Sequence, residues 1–162
     1  MSRFSLEPLQ QTGDIHWCAK LMSSSDPWLT LGRDYAACRA ALEDASRERS
    51  LIVSGGQRSG FLIINMNVGP LVGYIQAVCL VPETRGTGLG SEVIAAAEER
   101  IFRDSPNVFM CVSSFNDGAR RLYERLGYRV VGEIENFFVE GHGELLLRKS
   151  RGPWQNFLKP NR

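Results

Sequence analysis

Apolar and polar positions alternate weakly over residues 3–9, the pattern of an edge strand. Residues 14–22 then take helical spacing, and Ser23-Ser24-Ser25-Asp26-Pro27 predicts a turn. Gly32 or Asp34 opens a second, alanine-rich helix running to about Ser46. Residues 50–54 and 60–67 read as strands either side of Gly55-Gly56, and Gly69-Pro70 leads into a long strand over residues 71–81. Leu89, Val93, Ile94, Ala97 and Ile101 recur at helical spacing within residues 89–103. Ser105-Pro106-Asn107 ends that helix, and residues 108–113 are strand-like.

Asn116-Asp117-Gly118 begins another helix, whose face carries Ala119, Leu122, Tyr123 and Leu126, with Gly127 as its stop. Residues 129–138 and 144–148 finish as strands around Gly141-His142-Gly143. The predicted order is β-α-α-β-β-β-α-β-α-β-β. A mixed, largely antiparallel sheet with helices on both faces satisfies it, which makes the chain α/β.

Composition narrows the function without choosing it. The chain has 162 residues, a formal net charge of +1, and 43% hydrophobic and 23% charged residues. That length and balance predict one globular domain over residues 1–149 with a tail over 150–162. Near-zero charge favours neither nucleic acid nor an acidic membrane surface. The apolar runs are too short to span a bilayer, and Met1-Ser2-Arg3-Phe4-Ser5-Leu6-Glu7-Pro8 lacks a signal-peptide core, so a cytoplasmic protein is expected. Cys18, Cys38, Cys79 and Cys111 are scattered, and His16 and His142 are the only histidines, so no metal is expected. Trp154 and Phe157 in the tail imply docking on the same domain or contact with a partner.

The most chemical stretch is Val81-Pro82-Glu83-Thr84-Arg85-Gly86-Thr87-Gly88-Leu89-Gly90-Ser91, where a strand meets a helix through a glycine-rich turn. A helix N-terminus offers backbone N–H groups without intrahelical partners and the positive end of the helix dipole, and so suits phosphate. A Walker loop is excluded because no lysine follows the glycines. A dinucleotide fingerprint fails because Gly86, Gly88 and Gly90 lie two apart and Ser91 stands where the last glycine belongs. A tight turn with no ligand remains the alternative.

Two motifs change that balance. Arg85-x-x-Gly88-x-Gly90 fits the pattern R/Q-x-x-G-x-G/A. Farther on, Asn116-Asp117-Gly118-Ala119-Arg120-Arg121-Leu122-Tyr123-Glu124-Arg125-Leu126-Gly127-Tyr128 fits N-x-x-A-x-x-L-Y-E-x-L-G-F/Y. Together they resemble the GNAT superfamily of N-acetyltransferases, over residues 4–149. The resemblance implies a central sheet of six to seven strands flanked by about four helices. It also implies acetyl-CoA as cosubstrate, a primary amine as acceptor, and direct transfer through a tetrahedral intermediate.

On that resemblance, Arg85, Gly86, Thr87, Gly88, Leu89, Gly90 and Ser91 bind the pyrophosphate. Backbone groups of Cys79, Leu80 and Val81 pair with the pantetheine arm as an added strand would, and an N–H near Leu80 or Val81 polarises the thioester. Asn116 either caps its helix or bonds the pantetheine arm. Tyr123 either packs in the core or protonates the leaving thiolate. The family's strand glutamates are missing from Tyr74-Ile75-Gln76-Ala77 and Met110-Cys111-Val112. Glu133 is therefore the first expectation for the general base, with Glu135, Glu140, Glu144, His142 or a water chain as alternatives.

An acceptor groove is expected between Asp26, Trp28, Asp34 and Tyr35 on one side and Phe137, Phe138, Glu140 and His142 on the other. The acceptor's identity is left open, and so is the choice between monomer and homodimer. A non-catalytic acyl-CoA-binding module is the competing function.

Overall fold

The structure is a computed structural model and describes residues 2–158. Its elements in chain order are β1 (Phe4–Pro8), α1 (Thr12–Ser23), α2 (Tyr35–Glu43), β2 (Glu48–Ser54), β3 (Gln57–Val68), β4 (Leu71–Leu80), α3 (Leu89–Ile101), β5 (Asn107–Ser113), α4 (Asp117–Arg125), β6 (Arg129–Ile134), β7 (Glu144–Ser150) and α5 (Trp154–Phe157). A 3-10 turn at Pro82–Thr84 links β4 to the glycine-rich segment. The strands hydrogen-bond in the order β1-β2-β3-β4-β5-β7-β6. The seven strands and the alternation of elements agree with the sequence expectation; α5 and the 3-10 turn were not anticipated.

Residues 2–64 and Gln76–Gly90 form one compact unit. Its core joins Ile15, Cys18, Ala19 and Met22 of α1 with Cys38 and Leu42 of α2, and with Leu51, Phe61, Ile63, Ala77 and Cys79 of the strands. On α1 they fall at i, i+3, i+4 and i+7, so a single stripe faces the sheet. Asp34 is the cap of α2, accepting from the Ala37 N–H at 2.8 Å. This helix ends at Glu43, short of the expected Ser46. The Asp44 carboxylate accepts from the Ser46 N–H at 2.9 Å and from its hydroxyl, closing a local turn that competes with the helix.

Gly60 lets β3 and β4 approach closely. A Cβ there would lie 2.0 Å from the Cys79 carbonyl oxygen.

Asn65–Ile75 and residues 91–158 form the second unit. Here β4 runs parallel to β5 at Tyr74↔Phe109 and Ile75↔Met110. β5 pairs antiparallel with β7 from Asn107↔Ser150 to Ser113↔Glu144, and β6 pairs with the far edge of β7. The register puts Met110 opposite Leu147 and Val112 opposite Leu145, and all four are buried. Val93, Ile94, Ala97 and Ile101 of α3 are buried as the sequence spacing predicts.

Two expected element ends in this unit need correction, and α4 is shallower than its apolar stripe suggests. The face of α4 is only half buried at Ala119, Leu122, Tyr123 and Leu126; the buried anchor is Tyr128, just past the helix. The strand expected over residues 129–138 stops at Ile134. Asn136 turns the chain at φ 50° and its side chain accepts from the Gly141 N–H at 2.7 Å, closing a loop where more strand was expected. The helix expected to Arg103 ends at Ile101, whose carbonyl accepts from both Asp104 and Ser105 N–H. The tail docks within this unit as far as it is described: the Arg151 guanidinium lies 3.9 Å from the centre of the Phe102 ring.

Gly60→Ala is expected to destabilise the chain by about 2 kcal/mol or more, because neither backbone can yield without breaking the strand pair. Urea unfolding checks it. An unchanged midpoint would show that the close approach is not required.

Candidate functional site

The glycine-rich segment is exposed from Arg85 to Gly88, with Leu89 buried beneath it. Gly86 and Gly88 hold φ of 72° and 87°, values at which a side chain is strained, and the space where a Gly86 Cβ would point is open. The carbonyls here turn to local donors. The Thr87 hydroxyl donates to Thr84 O at 2.7 Å, and an Arg3 guanidinium nitrogen donates to Thr87 O at 2.9 Å. With the Thr84 and Thr87 carbonyls tied back, the segment leads into the first N–H groups of α3, for which the helix itself supplies no acceptors. This donor set fits a phosphate or pyrophosphate.

Arg85 does something the sequence did not reveal. Its N–H donates to Pro82 O at 3.2 Å, and its Nε donates to Leu80 O at 3.0 Å. The residue thus ties the turn to the end of β4, and its backbone N–H is spent inside the protein.

The β4 end resolves the expected trio of Cys79, Leu80 and Val81. The Val81 N–H donates to Ser59 O at 2.9 Å, so it is not free to polarise a carbonyl. The Cys79 carbonyl lies against Gly60. Backbone groups alternate sides along a strand, so those of Val78 and Leu80 point to the opposite edge. Pairing with β5 is confined to Tyr74 and Ile75, and that edge of β4 runs on without it. The N–H groups of Val78 and Leu80 lie on it, Leu80 nearer the glycine-rich turn. Cys79 itself is a core thiol, held up by burial and drawn partly back by Ser25 and Arg85. Burial and the nearby Asp14 push Cys18 up to about 12, so neither thiol is poised as a nucleophile.

In the second unit, Asn116 caps α4: its Oδ1 accepts from the Ala119 N–H at 3.3 Å. Capping uses only the carbonyl end of the side chain, and its NH2 keeps two donors. The expected choice between cap and ligand contact is therefore not exclusive. Tyr123 is half-buried on α4 and meets Tyr128 edge-on, with centroids 6.1 Å apart. Ser91 lies in the first turn of α3.

The hairpin acids differ sharply in setting. Glu133 is exposed, and its carboxyl lies over Gly143, filling the space a side chain there would take. Glu135 and Glu140 are also exposed. Glu144 is 4% exposed and accepts a short hydrogen bond from the Ser113 hydroxyl. Burial holds its carboxyl above the usual range, and Ser113 pulls it partly back. Tyr74 and Cys111, both raised by burial, are its titratable neighbours. The sequence did not single out Glu144, because the run Leu145-Leu146-Leu147 hides which face of β7 is buried.

The expected acceptor-side aspartates are engaged locally. Asp26 accepts from the Thr30 N–H at 3.1 Å, and Asp34 caps α2. His16 and Tyr35 share a 2.7 Å hydrogen bond, and Trp28 packs on Phe61. His142 lies edge-on to Phe115. Among the described residues no group of three His, Cys, Asp or Glu side chains is placed to hold a metal ion, and no helix is long and apolar enough to cross a membrane.

Residues 61–139 match the family model of FR47-like proteins. No curated protein matches the chain. Among solved structures, an acetyltransferase assigned to the GNAT family from Desulfovibrio desulfuricans superposes with a TM-score of 0.73 at 14% identity, over 91% of this chain and 97% of its own. An aminoglycoside 6'-N-acetyltransferase complexed with coenzyme A gives 0.73 at 13% identity, over 98% and 99%. A spermidine N-acetyltransferase from Vibrio cholerae, in complex with CoA and spermine, gives 0.71 at 15% identity, over 93% and 97%. Residues 61–139 thus match the FR47-like family model, and the chain has the fold of these acetyltransferase structures.

Proposed function

We infer that this protein transfers the acetyl group of acetyl-CoA to a primary amine. The observation that carries this is the N–H-rich start of α3 beside the unpaired edge of β4. A pyrophosphate and a chain of amides joined to it have a donor set waiting in each. The motif residues Asn116 and Tyr123 supply the remaining polar groups, and structures of this fold have been solved with CoA and with an amine.

Arg85, Gly86, Thr87, Gly88, Leu89, Gly90 and Ser91 form the pyrophosphate segment in this reading, with Arg85 acting through its tie to Leu80. The Leu80 N–H donates to the thioester oxygen, where charge develops as the amine attacks. The Asn116 NH2 donates to a pantetheine carbonyl. Tyr123 gives its phenolic proton to the departing sulfur, which keeps the thiolate from re-attacking.

Acetyl-CoA titrated calorimetrically, followed by a panel containing spermine, an aminoglycoside, free amino acids and a peptide α-amine with thiol detection, tests the reading. Binding followed by thiol release with at least one amine supports it. Binding with no release across the panel would leave a carrier of acyl-CoA, and no binding would reject both. Tyr123→Phe is expected to lower kcat by about 100-fold with acetyl-CoA affinity unchanged; unaltered turnover would remove Tyr123 as the acid. Gly88→Ala is expected to weaken acetyl-CoA about tenfold, since a strained φ costs about 1–3 kcal/mol. Equal affinities would mean that the turn's conformation is not what binds the cosubstrate.

A further inference from the structure

Arg3 reaches the glycine-rich turn from outside both sequence motifs. It immediately precedes β1, and its backbone is held there. The Ser54 hydroxyl donates to Arg3 O at 3.0 Å, and Phe4 pairs with Ser54 across the strands. From that base the guanidinium crosses to the turn, where Nη2 donates to Thr87 O at 2.9 Å. The same nitrogen would lie 3.3 Å from a Cβ on Gly88, so it also rests close to the backbone of the next residue. Arg3, Thr87 and Gly88 all belong to the first compact unit.

A peptide group is planar and trans, so its C=O and N–H point in opposite directions. Fixing a carbonyl therefore aims the amide of the following residue. Leu80 O accepts from Arg85 Nε, and the Val81 N–H of the same plane goes to Ser59 O. Thr84 O accepts from the Thr87 hydroxyl, and the Arg85 N–H of that plane goes to Pro82 O. Thr87 O accepts from Arg3, and among the described residues no acceptor receives the Gly88 N–H. The Leu80 and Thr84 planes thus spend both ends inside the protein. The Thr87 plane is locked at its carbonyl and leaves a donor on an exposed glycine. A cation on that carbonyl also strengthens the donor, because hydrogen bonds in series polarise one another.

We propose that Arg3 is a positioning residue for the cosubstrate: by holding Thr87 O, it aims the Gly88 N–H at the pyrophosphate of acetyl-CoA. The proposal rests on the acetyl-transfer reading. It makes the phosphate affinity of the turn depend on the segment before β1, which lies outside residues 61–139. The bond to Thr87 O uses one nitrogen, so a single cationic donor meets the need and a planar fork is not required.

The test compares the full parent chain with Arg3→Ala and Arg3→Lys. The calorimetric Kd for acetyl-CoA is expected to rise about tenfold in Arg3→Ala, the loss of one charge-assisted hydrogen bond, and to return to within about threefold of the parent in Arg3→Lys. Acetyl-dephospho-CoA keeps the pyrophosphate and lacks the 3'-phosphate, and should show the same deficit. With acetyl-CoA and the panel amine that turns over fastest, the deficit of Arg3→Ala should fall on KM and leave kcat unchanged. With S-acetyl-pantetheine, which carries no phosphate, kcat/KM should be equal in the parent and Arg3→Ala.

Equal Kd values in the parent and Arg3→Ala, no recovery in Arg3→Lys, a loss in kcat, or a deficit that persists with S-acetyl-pantetheine would each overturn the proposal. A deficit that vanishes with acetyl-dephospho-CoA would place the contact at the 3'-phosphate and overturn it as well. A parent chain that acetylates no amine would overturn the transfer reaction, while the Kd comparison still decides the role of Arg3. A parent chain that binds no acetyl-CoA would overturn both.

Discussion

Among the described residues, the pairing of β4 with β5 stops at Ile75, and much of the candidate chemistry follows from that. The Val81 N–H is used by Ser59 and the Cys79 carbonyl is pressed against Gly60. Alternation then leaves the backbone of Val78 and Leu80 facing the side on which β5 pairing has ended. An unpaired strand edge invites an extended partner. Arg85 narrows what it offers, because its Nε occupies the Leu80 carbonyl. What stays available at Leu80 is the N–H, the polarity that an electron-rich thioester oxygen requires. The same arginine ties the glycine segment to this edge, so the glycine turn and the Leu80 backbone of the first unit are mechanically linked.

The sequence displayed some of this well and some of it poorly, for physical reasons. Helix α3 was legible because Leu89, Val93, Ile94, Ala97 and Ile101 fall on one stripe, and all five are buried. Helix α4 has as clear a stripe but no fully buried residue. Periodicity names the apolar side of a helix and is silent about how much covers it. Strand β6 ended early because Asn136 could enter the left-handed region and cap its own loop. Which N–H groups near β4 are free could not be read at all. Val81 and Leu80 are chemically alike along the chain, and strand register alone separates them.

Glutamates pose the same problem more acutely. Glu133 and Glu144 both belong to strands around one hairpin, and both are carboxylates in the sequence. The pairing Ser113↔Glu144 buries one, while Glu133 stays in solvent over Gly143. Burial converts an ordinary surface acid into a group whose charge is costly, and so into one that can do chemistry near neutral pH.

The remaining acids sharpen where a cationic amine would find its counter-charge. Asp26 and Asp34 have local backbone donors to hold, and Asp14 pairs with Arg58 at 2.6 Å. In the second unit, Glu98 pairs with Lys149 at 2.7 Å and Glu124 with Arg120 at 3.0 Å. Each of these carboxylates already has a partner that an incoming ammonium would have to displace. Glu144 has only a neutral hydroxyl, which can remain bound while a cation approaches. Its place among Tyr74, Cys111 and Ser113 therefore keeps its charge costly, which is why burial holds its carboxyl above the usual range.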